Sequence, residues 1–101
     1  MSKASKACDI SPKVRAEVKE RDGDTCIICG KTHVIQIAHF IPRSRLGLGI
    51  PENLACMCIE CHGELDNGFK KSKEIKQAFK DYLMSIYPEW NESKLIYSKW
   101  S

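Results

Sequence analysis

Cys26-Ile27-Ile28-Cys29-Gly30 and, with 28 residues between the inner cysteines, Cys58-Ile59-Glu60-Cys61-His62 are the stretches that decide the fold. Each is a Cys-x-x-Cys knuckle, whose two intervening residues let both sulfurs turn back on one ion at about 2.3 Å. Gly30 permits the tight backbone that such a knuckle needs. Together the knuckles supply four soft ligands, which complete a tetrahedral zinc and leave no open position for substrate. A structural zinc on Cys26, Cys29, Cys58 and Cys61 is therefore expected, and not a catalytic one. Two cysteines are left over. Cys56 lies in an apolar extended segment and should be buried as a small hydrophobe. Cys8, in the N-terminal tail, is expected to have no specific role. His33 follows the first knuckle by four residues and reads as an exposed turn residue, because the cysteines already complete the shell.

A chain of 101 residues has room for one small domain. Its core is thin, and zinc answers that weakness by contributing on the order of 10 kcal/mol to folding. With 43% hydrophobic and 29% charged residues, wholesale disorder and a long coiled coil are excluded. The longest apolar run, residues 54–59, has six members, far short of the ~20 that span a bilayer. Met1-Ser2-Lys3-Ala4-Ser5-Lys6 contains no apolar h-region, so a cytoplasmic setting with no membrane partner is expected. In such a compartment six cysteines point to metal rather than to disulfides. The net charge of +3 is too small to establish a nucleic-acid partner.

Residues 1–10 read as a flexible tail. Ser11-Pro12 is a helix start, with serine as N-cap and proline in the first turn, and Asp22-Gly23-Asp24 ends that helix. Residues 34–41 are rich in β-branched side chains and read as a strand stopped by Pro42. A loop punctuated by Gly47, Gly49 and Pro51 leads to a second extended segment at 53–58. Short and long helices follow at 61–69 and 72–87, the second with Ile75, Phe79, Leu83 and Ile86 at helical spacing. Tyr82, Tyr87, Trp90 and Trp100 are expected to pack rather than to stack on bases. Asn91 is placed to cap a final turn.

His39, Asn53 and His62 lie among these elements. With Cys26-Ile-Ile-Cys29-Gly30, Ile37-Ala38-His39-Phe40-Ile41-Pro42-Arg43-Ser44, Asn53-Leu54 and Cys58-Ile-Glu-Cys61-His62, the sequence resembles the HNH endonuclease family. It looks closest to the small stand-alone HNH proteins of bacteriophages. The resemblance covers about residues 11–70 and implies an α+β fold: a small zinc-stapled ββα-metal domain with flanking helices. The domain would span 11–70, with 71–101 as a helical C-terminal extension.

By that resemblance the chain is a metal-dependent endonuclease that nicks or cleaves DNA. His39 would be its general base, His62 a ligand of a catalytic divalent cation such as Mg2+ or Mn2+, and Asn53 the residue that positions loop and base. Spacing adds Asp66, four residues after His62 and so on the same helical face. Arg43 and Arg45, in the loop after His39, are candidates for phosphate contact, and a run from Lys70 to Lys80 is a weaker one. Many members carry a ligating Asp or His immediately before the first motif histidine. Here that position is Ala38: either Asp66 replaces the ligand, or metal binding is weak, or the site has lapsed and the chain is a zinc-stapled nucleic-acid-binding or adaptor module. A third reading is an interaction protein acting through Phe79, Tyr82 and Trp90. The phage resemblance further implies a place in the bacterial host cytoplasm, in genome packaging, beside a terminase or another packaging protein.

Overall fold

The computed structural model describes residues 3–98. Helices α1 (Lys3–Cys8) and α2 (Pro12–Asp22) precede strands β1 (Ile35–His39) and β2 (Leu54–Cys58); helices α3 (Ile59–Asp66) and α4 (Lys70–Ile86) follow. The strands form an antiparallel pair whose register runs from Ile35 opposite Cys58 to His39 opposite Leu54. Single 3-10 turns at Arg43–Arg45 and Pro51–Asn53 occupy the connection between the strands, and another at Glu92–Leu95 follows α4. The protein is thus a small α+β unit with a two-stranded sheet, helices and a cluster of four cysteines. Among the described residues no helix is long and apolar enough to cross a membrane.

Local chemistry sets the element ends. Ser11 Oγ accepts the Val14 N–H at 3.1 Å to open α2, and Gly23, at φ 66°, closes it in the left-handed conformation. Strand β1 is shorter than residues 34–41. Val34 sits at φ 51°, outside the extended region, and the Ile41 backbone bonds to the Asn53 side chain instead of a strand. Helix α3 starts before residue 61 because the Cys58 sulfur caps it, accepting the Cys61 N–H. The Asn91 side chain accepts the Ser93 N–H at 3.0 Å, capping the final turn.

Strand alternation gives the sheet two faces. Ile37, Leu54 and Cys56 pack with Val18 of α2 on one side. Ala38, Phe40, Ala55 and Met57 cluster on the other with Ile75, Phe79 and Leu83 of α4. Cys56 is fully buried. Helix α4 therefore completes the core of the unit read as residues 11–70; it is not an appendage to it, because its apolar stripe has the sheet to cover. Phe40 meets Phe79 and Trp90 edge-on, at centroid distances of 5.3 and 5.5 Å. Trp90 also donates to the Glu52 carbonyl at 2.8 Å. Trp100 lies outside the described residues.

The expected loose tail is also corrected. Lys3–Cys8 is helical, Cys8 is buried, and the Gly49 N–H donates to the Ala7 carbonyl at 3.0 Å. Gly49 is required there. A Cβ on it would lie 2.1 Å from the Asp9 carbonyl oxygen, and one on Gly47 only 1.7 Å from that of Ile41.

A polar cluster lies under α2, centred on Asp22, which the sequence presents only as part of the turn that ends that helix. Asp22, its side chain fully buried, accepts from Arg21, from the Cys56 N–H at 2.8 Å and from the Tyr82 hydroxyl. Arg21 also donates to the Pro51 and Leu54 carbonyls, at 2.9 and 2.7 Å, and to the Tyr87 hydroxyl at 3.0 Å. One ion pair thus ties α2 to β2 and α4. Asp22→Ala leaves the half-buried guanidinium without its carboxylate. A loss of about 3–5 kcal/mol is expected in urea unfolding, since breaking a buried pair strands one charge. A loss below 1 kcal/mol would show that the cluster is worth no more than a surface pair.

Candidate functional site

The two knuckles meet at one end of the sheet. Cys26 and Cys29 lie on the turn after α2, where the Cys26 N–H donates to the Lys31 carbonyl and the Gly30 N–H to that of Cys26. The Ile27 N–H donates to the Cys56 carbonyl at 3.0 Å, pinning this turn to β2. Cys58 ends β2 and Cys61 lies in the first turn of α3. The four sulfurs all lie within 4.8 Å of one another, with Cys29 and Cys58 at 3.5 Å. Sulfurs at 2.3 Å from a tetrahedral centre sit about 3.8 Å apart, so the donors fit a structural metal such as zinc. Burial and the neighbouring thiols push Cys61 up, and burial raises Cys58. At Cys26 the same burial is overcome by the backbone N–H groups of Cys29, Cys58 and Ile28, which bring it down to about 7. Cysteines bind zinc as thiolates, so an ion here would displace the protons that burial keeps on Cys58 and Cys61. Across the outside, Lys31 and Glu60 pair at 2.8 Å.

Chain direction carries the second constellation to the other end. Residue Ile35 of β1 is level with Cys58, and His39 stands four residues further on, about 13 Å away. Helix α3 leaves the cysteines and returns about 10 Å over its eight residues, which brings Asp66 back toward His39. His39 and Asp66 line one cleft of about 510 Å³, together with Lys73, Lys76 and Lys80 of α4.

Each histidine is held through one ring nitrogen. His39 Nε2 is 3.1 Å from the Cys8 carbonyl oxygen. A carbonyl only accepts, so Nε2 bears the hydrogen and Nδ1 is left with the lone pair. Cys8, without a role in the sequence reading, thus sets the tautomer through its backbone. Burial lowers the His39 pKa from its usual 6.5; the Cys8 carbonyl opposes this, and the Arg43 and His62 charges add to it. His62 Nδ1 is 2.7 Å from Gln36 Oε1, which leaves Nε2 facing Asp66 Oδ2 at 3.7 Å. That gap is too wide for a hydrogen bond. Two lone-pair donors facing each other at this distance suit a cation. Gln36 was missed by the sequence reading; its one signal was a polar side chain inside an apolar strand.

Asn53 is fully buried. Its Oδ1 accepts the Ile41 N–H at 2.8 Å, and its Nδ2 donates to the carbonyls of Leu48 and Ile41 at 2.8 and 3.2 Å. Its backbone carbonyl accepts the Phe40 N–H at 2.8 Å. The Asn53 side chain therefore ties the interstrand loop together next to the end of β1, where His39 lies. Arg43 pairs with Asp9 at 2.6 Å and reaches the Cys8 carbonyl, so its charge is engaged with the segment after α1. Arg45 is exposed. Ala38 is buried opposite Ala55 and offers nothing to an ion. His33 is exposed.

Neither a known family model nor a curated protein matches this chain.

The cleft lining therefore holds a histidine whose Nδ1 keeps its lone pair, the exposed carboxylate of Asp66, with His62 beside it outside the lining, and three lysines. Among the described residues the four cysteines are the one set of three or more donors gathered closely enough for an ion. His62 and Asp66 supply two more donors, which leaves most of a cation's shell to water and substrate oxygen.

Proposed function

We propose that this protein is a metal-dependent endonuclease of the HNH, ββα-metal type, hydrolysing DNA phosphodiester bonds. The observation that carries this reading is His39: a histidine at a strand end, its Nε2–H committed to the Cys8 carbonyl, lining the same cleft as Asp66. The β1–loop–β2–α3 order, with a cysteine knuckle before β1 and another at the β2–α3 junction, supports it as well.

His39 Nδ1 takes a proton from water as its oxygen attacks phosphorus; the P–O bond to the leaving oxygen breaks, and that oxygen is reprotonated from solvent. His62 Nε2 and the Asp66 carboxylate would hold a divalent cation, which supplies Lewis-acid stabilisation to the charge developing on phosphate and leaving oxygen. Gln36 orients His62, as a carbonyl partner does for many ligating histidines. Asn53 keeps the loop, and with it His39, in place. DNA is the partner; a packaging protein such as a terminase is the second one that the phage resemblance suggests.

The test is nicking of a supercoiled plasmid with magnesium, with manganese and with no added divalent cation. Cation-dependent nicking is expected, with an acid limb below pH 6.5, because the lowered pKa of His39 keeps the base unprotonated at neutrality. Stability has the same sign. As pH falls from 6.5 the unfolded histidine takes up its proton before the folded one, so stabilisation present above 6.5 is lost through the folded pKa. A melting temperature flat between pH 7.5 and 5, or an acid limb above 6.5, would contradict this. The two-donor count at His62 and Asp66 favours the second reading, a nucleic-acid-binding module with a lapsed site. DNA binding with no cleavage under either cation would select it.

A further inference from the structure

Helix α4 supplies part of the cleft that His39 lines. Lys73, Lys76 and Lys80 are spaced by three and four residues, which puts them on one helical face, and all three line the cleft. Lys70 and Lys71, from the same run, do not line it. Among the described residues none of the three ammonium groups is in an ion pair.

Lys76 is the most committed. Its Nζ donates to the Phe40 carbonyl and lies 4.2 Å from the centroid of the Phe40 ring. It thus sits beside the residue that follows His39. Burial lowers its pKa, Glu92 and Asp66 oppose the shift, and the Arg45 charge adds to it. The cleft lining holds two carboxylates, Asp66 and Glu92, against these three lysines. Occupying Asp66 with a cation would make the cleft more positive still. Crowded like charges facing a cleft are relieved by an anion.

We propose that the Lys73, Lys76 and Lys80 face of α4 is the phosphate-binding wall of the cleft, holding a DNA backbone in the space that His39 and Asp66 also line. From Lys73 to Lys80 is about 10 Å along the helix. That is the axial length of about three phosphates on one strand of duplex DNA. Arg43, the phosphate contact expected from the loop, is tied to Asp9 and does not line the cleft. The proposal takes DNA as the substrate from the endonuclease reading, and the wall's geometry from α4 alone.

The experiment is binding of a short labelled DNA duplex to His39→Ala protein, without added divalent cation, over a salt series. Lys73→Gln/Lys80→Gln is compared with Lys70→Gln/Lys71→Gln, which removes the same charge from the same helix outside the cleft. Each lost phosphate contact lowers the log–log salt slope by about 0.9, or roughly eightfold in affinity at 0.1 M against the 1 M limit. The cleft pair should therefore weaken binding roughly 60-fold, with the control pair near the parent and all melting temperatures alike. Equal loss in both pairs, no loss in the cleft pair, or no DNA binding by the parent would each overturn the wall. Lysine-dependent binding by wild-type protein that cuts nothing would sink the nuclease and leave the wall standing. Cutting with a KM unmoved by the cleft pair would do the reverse.

Discussion

Stripping the metal from the four-cysteine site is expected to abolish the cooperative melting of this protein. The four sulfurs tie together the turn after α2, the end of β2 and the first turn of α3. The other described links at that end are the Ile27–Cys56 backbone hydrogen bond, the packing of Cys26, Ile27 and Ile28 on the core, and the Lys31–Glu60 pair, an exposed one with both side chains about 60% accessible. Structural zinc supplies about 10–16 kcal/mol of apparent binding energy, while a domain of this size has about 5–15 kcal/mol of net stability. Removal of the ion therefore exceeds or consumes the whole margin. The measurement is far-UV circular dichroism against temperature, before and after chelation, with metal content determined on the same samples. Cys58→Ser/Cys61→Ser should behave like the chelated protein. As-purified protein that carries no metal and melts cooperatively, or a chelated sample whose transition does not move, would remove the metal from the account of the fold.

Replacing His39 with alanine should lower plasmid nicking by about 10²–10⁴-fold, the range for losing a general base. The fold should survive, because the side chain is half-buried and its one hydrogen bond goes to the Cys8 carbonyl. Asn53→Ala provides the contrast. It leaves the Ile41 N–H and the carbonyls of Ile41 and Leu48 without their partner, at about 1–3 kcal/mol for each buried group that stays unpaired. Its activity should therefore fall together with its melting temperature, whereas His39→Ala loses activity alone. Full nicking by a folded His39→Ala protein would remove histidine from the chemistry. Equal destabilisation by both variants would make His39 a structural residue.

Much of the fold was legible because it is written in local chemistry. The start of α2 depends on the Ser11 side chain and the Val14 N–H, its stop on Gly23 and the Glu20 carbonyl, groups three residues apart in each case. The paired cysteines carry their own geometry, since two intervening residues bring two sulfurs to one point wherever the chain goes. The apolar spacing of Ile75, Phe79 and Leu83 announced α4. What it could not announce was the target of that stripe, so α4 read as an extension when it covers one face of the sheet.

Sequence by itself determined the four-cysteine set, the hairpin followed by a helix, and the proximity of His62 to Asp66, which a helical step of four enforces. Tertiary structure alone decided how the cleft is built. The Cys8 carbonyl that orients His39 is a backbone group, 31 residues away in the chain, and no side chain advertises it. The docking of α1, which requires glycine at position 49, puts it there. In the same way Arg43 left the cleft for Asp9, while Lys73, Lys76 and Lys80 entered it when Phe79 and its neighbours buried against the sheet. Periodicity says which residues share a helical face. Only the packing of that helix says what the face looks at.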